Sequence, residues 1–347
     1  EGDVSLNSVS SFQNSGTLHS ESYTDTSFQG DNTEITTIAG NVQYGDGTGR
    51  DVEFSDPQQI VRIGTDIYVL DNNNIRVVDS ATGAVSTLQT SGATYSSTPQ
   101  NLMSDGTDIY FTTYSQSYKI YKLSPADGVV SELQLLNESG GVYTIEDQIK
   151  GLVSDGTDLF VAVYSTMSVQ FLRISLQTGT VTPHTSAGEN LTYVSGLEKV
   201  GNSLFAISSG SSIYEIELSG TTATVSTVTL GGLDISSAYF EKMTASGQDL
   251  YLAMMGEIYR VNLVAGQGGT TTGTVTEIEH SFTAASFYNT GSEIRLDYMR
   301  AFTTDGSALY VVDGTNKLIR KIDLATSNIT TIAGNVQYGD GTGRDVE

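Results

Sequence analysis

One short pattern recurs six times along this chain: a turn built on Gly or Asp, then an apolar run carrying an aromatic residue. It reads most plainly at Gly64-Thr-Asp-Ile-Tyr-Val-Leu-Asp71, Asp105-Gly-Thr-Asp-Ile-Tyr-Phe111 and Asp155-Gly-Thr-Asp-Leu-Phe-Val161. The remaining copies are Gly201-Asn-Ser-Leu-Phe-Ala206, Gly247-Gln-Asp-Leu-Tyr-Leu252 and Asp305-Gly-Ser-Ala-Leu-Tyr-Val311. The aromatic position falls at Tyr68, Tyr110, Phe160, Phe205, Tyr251 and Tyr310, at intervals of 42, 50, 45, 46 and 59 residues. A period of this size marks a repeat architecture, in which no unit can bury its apolar surface alone.

Each unit continues in the same way. A second apolar strand follows, such as Ile75-Arg-Val-Val78, Tyr118-Lys-Ile-Tyr121, Ile213-Tyr-Glu-Ile216 or Ile319-Arg-Lys-Ile322. Then comes a turn like Asp79-Ser-Ala-Thr-Gly83, and a Thr/Val-rich strand like Ala84-Val-Ser-Thr-Leu88. With the apolar strand ahead of each motif (Gln59-Ile-Val-Arg62, for example), every unit holds four strands. Six such sheets set radially bury both faces of each against its neighbours. The expected fold is therefore all-β: a six-bladed β-propeller with four antiparallel strands per blade, preceded by an extended N-terminal arm. A β-sandwich does not call for six equal units.

The sixth unit, Tyr310 to Gly334 with the loop Asn335-Val-Gln-Tyr-Gly-Asp-Gly-Thr-Gly343, resembles an NHL repeat. It carries the strand–Asp–Asn turn, the Ile-Arg-Lys-Ile strand and a Thr-hydrophobic-Ala-Gly strand leading to a Gly-Asp-Gly loop. The first unit also fits, from Tyr68 to Leu88 after the loop Tyr44-Gly-Asp-Gly-Thr-Gly49; the middle four keep the strand pattern but lack that loop. The resemblance implies the propeller fold. It implies no activity, since NHL repeats serve enzymes, protein binders and RNA binders alike.

Composition narrows the function classes. Hydrophobic residues make up 38% of the chain, with 19 Tyr and 11 Phe, enough for a packed core. Forty acidic residues against 16 basic give a net charge of −24, a field that repels phosphate backbones and argues against nucleic acid as a partner. The absence of Cys excludes disulfides, thiolate metal sites and a Cys nucleophile, and leans toward a prokaryotic surface protein. No apolar run approaches the ~18 residues that cross a bilayer. Because the chain begins at Glu1 rather than Met, an export signal is expected to have been removed, or the chain trimmed.

The second constraint is a duplication. Residues Ile35 to Glu53 and Ile329 to Glu347 are identical over nineteen positions. In each copy the first six residues (Ile35, Thr36, Thr37, Ile38, Ala39, Gly40, and Ile329, Thr330, Thr331, Ile332, Ala333, Gly334) read as the fourth, outermost strand of a blade. The rest reads as the loop crossing to the next blade. A propeller of 35–334 needs one such strand to complete its last blade, so one copy is surplus, and an unpaired strand is an open hydrogen-bonding edge. Three readings follow: a further propeller beyond Glu347, exchange of the surplus strand into a neighbouring copy, or packing of that strand on its own rim. Residues 1–34 match no blade; their spaced apolar residues Val4, Leu6, Val9, Phe12 and Phe28 suit a linker or an arm packing on a partner, and 335–347 form a tail that repeats the loop 41–53.

Chemistry-bearing constellations are sparse. His19, His184 and His280 lie far apart in sequence, too few for the His cluster of a metal enzyme. No Gly-x-Ser-x-Gly elbow precedes a helix. In the two Gly-Asp-Gly loops, Asp46 with Asp51 and Asp340 with Asp345 are candidate calcium ligands, though short of EF-hand spacing. Asn-x-Ser/Thr sequons stand at Asn137, Asn190 and Asn328. Together these features lead to the expectation of a non-catalytic extracellular protein without an obligatory cofactor. Its partners would be copies of itself or an adjacent propeller, joined through the duplicated strand. The alternative is a ligand-binding or adhesin module that uses one propeller face, with surface glycans or proteins as partners.

Overall fold

The computed structural model describes residues 45–48 and 52–334, except 96, 116, 166–167, 209–211, 234, 236–239, 241, 255–256, 266–270, 279–280, 283–295 and 297–298. The expected arm 1–34, the first closing strand Ile35–Gly40 and the tail 335–347 lie outside these residues.

The described residues form antiparallel sheets and no helix. Blade 1 comprises Pro57–Ile63, Asp66–Asp71, Asn74–Asp79 and Ala84–Thr87. Blade 2 follows with Gln100–Ser104, Ile109–Tyr114, Tyr118–Leu123 and Val129–Glu132, and blade 3 with Gln148–Ser154, Asp158–Ser165, Ser168–Ser175 and Val181–Gly188. Blade 4 runs through Gly196–Val200, Ser203–Ser208, Ser212–Ser219 and Thr222–Thr227. Blade 5 runs through Lys242–Ser246, Asp249–Met254, Glu257–Ala265 and Thr271–Glu277, and blade 6 through Met299–Thr304, Ala308–Asp313, Leu318–Asp323 and Asn328–Ala333. The first strand of each blade touches that of the next, and the first strand of blade 6 touches that of blade 1, so the circle closes. This is the all-β propeller that the repeats require.

The recurring aromatic has a clear purpose in this arrangement. Alternate residues of a strand point to opposite faces, so each second strand feeds two junctions. Tyr68 packs with Ile109 and Phe111 between blades 1 and 2, while its neighbours Ile67 and Val69 pack with Tyr310 between blades 6 and 1. Tyr110, Phe160, Phe205, Tyr251 and Tyr310 repeat the pattern at the other five junctions. Each of the six is at most 6% exposed. Burying one such ring contributes on the order of 2 kcal/mol, and the six together outweigh any surface contact in holding the ring shut.

The Asp and Gly residues of the motif belong to the turn before that strand. The Asp105, Asp155 and Asp305 carboxylates each accept hydrogen bonds from the backbone N–H groups two and three residues on, locking the turn. Burial alone would raise the Asp305 carboxyl, but hydrogen bonds from Ser307, Tyr310 and the turn backbone hold it down at about 2. The second Asp of the motif pairs across to the next strand, as in Asp108–Lys122 at 2.5 Å, Asp158–Arg173 at 2.6 Å and Asp249–Arg260 at 2.7 Å.

The crossing segments add a further strand at the outside. Ser91–Gly92, Thr185–Gly188, Thr229–Gly232 and Ser281–Phe282 each run parallel to the outer strand of the blade they lead into. Blade 3 has a single such bridge, Leu136 with Thr180. Blade 1 differs: Gly47–Thr48, from the first Gly-Asp-Gly loop, pairs antiparallel with Ala84 and Val85.

Candidate functional site

The outer position of blade 6 is held by the second of the duplicated strands. Asn328–Ala333 lies antiparallel to Leu318–Asp323, with Ile329 opposite Ile322, Thr330 opposite Lys321, Thr331 opposite Arg320 and Ala333 opposite Ile319. Ile329 and Ala333 are fully buried. They secure different junctions: Ile329 packs with Tyr251 and Leu309 toward blade 5, while Ile332 and Ala333 join Phe54 and Val85 of blade 1. Gly334 ends the strand at φ +98°, a left-handed conformation suited to glycine. The equivalent residues Ile35, Thr36, Thr37, Ile38, Ala39 and Gly40 lie outside the described part of the chain.

Under that strand sits a buried ion pair. Arg320 is 1% exposed and Asp313 is fully buried; Arg320 Nε lies 3.3 Å from the Asp313 carboxylate, and Arg320 Nη1 donates to the Thr331 hydroxyl at 2.5 Å. Burial pushes the Asp313 carboxyl up, opposed by hydrogen bonds from Asn316 and by the Arg320 charge. Blade 1 carries the twin pair, Arg76 with Asp71 at 3.5 Å. There the guanidinium also donates to the carbonyls of Gly45 and Glu53, and meets Asp46 at 3.3 Å. Thus in blades 1 and 6 an Arg–Asp pair anchors a strand or a crossing loop.

This places the first of the candidate calcium ligands. The Asp46 carboxylate is engaged by Arg76 and by the Thr87 hydroxyl at 2.8 Å, so in this structure it serves as an ion-pair partner that pins the Gly-Asp-Gly loop to blade 1. Asp51, Asp340 and Asp345 fall outside the described residues, among which no group of three potential metal ligands converges. His184 is buried in the outer strand of blade 3, where burial lowers its pKa; His19 and His280 are outside the described residues.

A second site appears only in three dimensions. The first strands of all six blades surround a central cavity of about 300 Å³. Its wall carries Arg62 of blade 1, Lys150 of blade 3, Glu198 of blade 4, Lys242 of blade 5 and Arg300 of blade 6. Arg300 forms an ion pair with Asp56, which stands at the start of blade 1, and so ties blade 6 to blade 1 across 244 residues. Lys150 lies 4.9 Å from the ring centre of Tyr193, which in turn meets Tyr164 edge-on at 6.5 Å. Five of the six blades supply one charged residue each, blade 2 supplies none, and the five share no local motif, which is why sequence reasoning missed them.

Glu198 stands apart from the cations. Desolvation by the surrounding wall raises its carboxyl to about 8, so it is uncharged near neutrality. A raised carboxyl favours folding below about 4.5, its ordinary value, and that contribution fades as pH rises through about 8. Glu198→Gln is therefore expected to leave thermal stability unchanged at pH 5 and to raise it at pH 9, by about 2 kcal/mol once water in the cavity is allowed for. Melting curves of both proteins at the two pH values check this, and an equal shift at both would contradict it.

The sequence matches no protein-family model and no curated protein. Solved structures do match. An auxiliary nutrient binding protein from Bacteroides thetaiotaomicron aligns over 86% of this chain and 76% of its own, at 14% identity and a TM-score of 0.55. A protein of unknown function from the same organism aligns over 82% of this chain and 74% of its own, at 15% identity and a TM-score of 0.51. A PQQ-bound aldose sugar dehydrogenase from Streptomyces coelicolor covers 82% of this chain and 91% of its own, at 13% identity and a TM-score of 0.48. The first two similarities speak for the propeller fold alone.

Proposed function

We propose that this chain is a non-catalytic extracellular surface protein that associates with copies of itself, or with an adjacent propeller, by exchanging its duplicated blade-closing strand. The observation carrying this reading is the match between two identical strands and one outer position. Every residue that Ile329–Ala333 places in that ladder, from the buried Ile329 to the Arg320-bound Thr331, has the same residue in Ile35–Ala39. The position therefore discriminates between the copies by proximity and not by chemistry. A strand that loses this local competition keeps its full complement of backbone donors and acceptors and suits the same position in a neighbour. Head-to-tail repetition of such pairing produces a filament or a tandem array. NHL-like character supports the reading in blades 1 and 6, the two that flank the junction, where the Asp–Arg pairs hold the closing strand and the crossing loop.

Deletion of Ile329–Glu347 tests it. The full chain is expected to self-associate in size-exclusion chromatography with light scattering, and to form polymers visible by negative-stain microscopy. The shortened chain is expected to be a folded monomer, with Ile35–Gly40 closing blade 6. A second variant, Ile35→Asp with Ile38→Asp, disables the other copy and is likewise expected to be monomeric. A full chain that stays a monodisperse monomer over a wide concentration range overturns the proposal.

A further inference from the structure

The charge of the central cavity runs against that of the protein. The chain carries 40 acidic and 16 basic residues, yet four of those sixteen, Arg62, Lys150, Lys242 and Arg300, line one cavity of about 300 Å³. Among the described residues of its wall the one carboxylic acid is Glu198, which burial raises to about 8 and keeps from repelling an anion near neutrality. Arg300 is balanced by Asp56 at the rim. The Nε of Arg62 is buried and has no hydrogen-bond partner among the described residues. A protein whose overall field drives anions away, but whose cavity is cationic, concentrates any anion it binds at that one place.

The rest of the wall sets the character of that anion. Its lining includes the polar side chains of Gln59, Asn101, Ser104, Ser195, Thr244 and Thr303, a surface that suits a hydroxylated acid better than a fatty or aromatic one. A cavity of about 300 Å³ also lies at the small end of ligand sites. At the rim, Lys150 belongs both to the cavity wall and to an aromatic group: its ammonium sits 4.9 Å from the ring centre of Tyr193. Tyr193 remains 38% exposed and meets Tyr164 edge-on. On blade 2, Tyr114 takes the same place in its strand as Tyr164 in blade 3, is 50% exposed and pairs with Tyr118 at 4.9 Å. Exposed rings of this kind offer flat apolar faces with a polar edge, the surface on which the C–H face of a sugar ring rests while its hydroxyls reach polar neighbours.

We propose that the mouth of the central cavity binds an acidic saccharide, with a uronate carboxylate paired to Lys150 and the sugar ring lying against Tyr193. Lys242 and Arg62 supply positive charge to the interior. Saccharide binding at this mouth is separate from assembly through blade 6, since Lys150, Tyr164 and Tyr193 belong to blade 3 and the approach to blade 4.

Titration of the full chain with D-glucuronate, followed by calorimetry or by the emission of its tyrosines in a chain without Trp, tests this. Saturable binding is expected, with D-glucose and acetate each weaker by on the order of tenfold or more, because each lacks one half of the recognition. Lys150→Met and Tyr193→Ala, both at the rim and checked for unchanged melting, are each expected to weaken glucuronate by on the order of tenfold. Three results overturn the proposal: no saturable binding of glucuronate, acetate binding as tightly as glucuronate, or full affinity in both folded variants.

Discussion

Asp313→Ala is expected to destabilise the ring more than any surface substitution, by about 3–5 kcal/mol, because it leaves the Arg320 guanidinium buried without its counter-charge. Arg320 is 1% exposed, and its Nη2 already has no hydrogen-bond partner among the described residues, so nothing at hand can replace the lost carboxylate. The reverse change is milder. Arg320→Met leaves a carboxyl whose pKa is already pushed up by burial, and which takes a proton while keeping its hydrogen bonds from Asn316 at 3.0 Å. It also loses the Thr331 contact, so it loosens the closing strand locally. Replacing both residues together should cost less than Asp313→Ala alone, since an apolar pair of similar volume carries no desolvation penalty. Denaturant midpoints for the three variants settle the order; equal small losses would show that the pair contributes nothing distinctive.

Gly179→Ala is expected to rank second, at about 2–4 kcal/mol, from backbone strain and overpacking together. Gly179 stands at φ +72°, and a Cβ there would lie 2.1 Å from the carbonyl oxygen of Gln134. That carbonyl belongs to the segment crossing into blade 3, which is fixed in turn by the Leu136 N–H donating to the Gly179 carbonyl at 2.9 Å. Neither backbone can retreat without breaking the outer pairing. Gly64→Ala separates conformation from contact. Its φ of +60° imposes a similar backbone cost, but no atom lies within 4 Å of the added Cβ, so about 1 kcal/mol is expected. Comparable losses at the two sites would mean that the crossing segment is not seated as described.

The two substitutions mark how far the sequence could be read. The aromatic period predicted a ring of repeated blades, and Tyr68, Tyr110, Phe160, Phe205, Tyr251 and Tyr310 do sit buried at successive junctions. That regularity is local in origin, because alternation along one strand fixes which residues face each neighbour. The Asp-Gly turns were legible for the same reason: Asp305 caps its own turn within three residues. Asp46 shows the opposite case. Its partner in space is Arg76, thirty residues away along the chain, a pairing that no local pattern encodes.

By itself, then, the sequence determined the all-β repeat, the junction-facing aromatics and the existence of two identical nineteen-residue segments, all properties set within a short stretch of chain. Only the tertiary structure decided that Asn328–Ala333 occupies the outer place of blade 6, and that Arg62, Lys150, Glu198, Lys242 and Arg300 share one cavity wall. Those relations depend on circular closure, which brings the first strands of blades far apart in the chain to a common axis. No spacing along the chain encodes which charge will meet which across that axis.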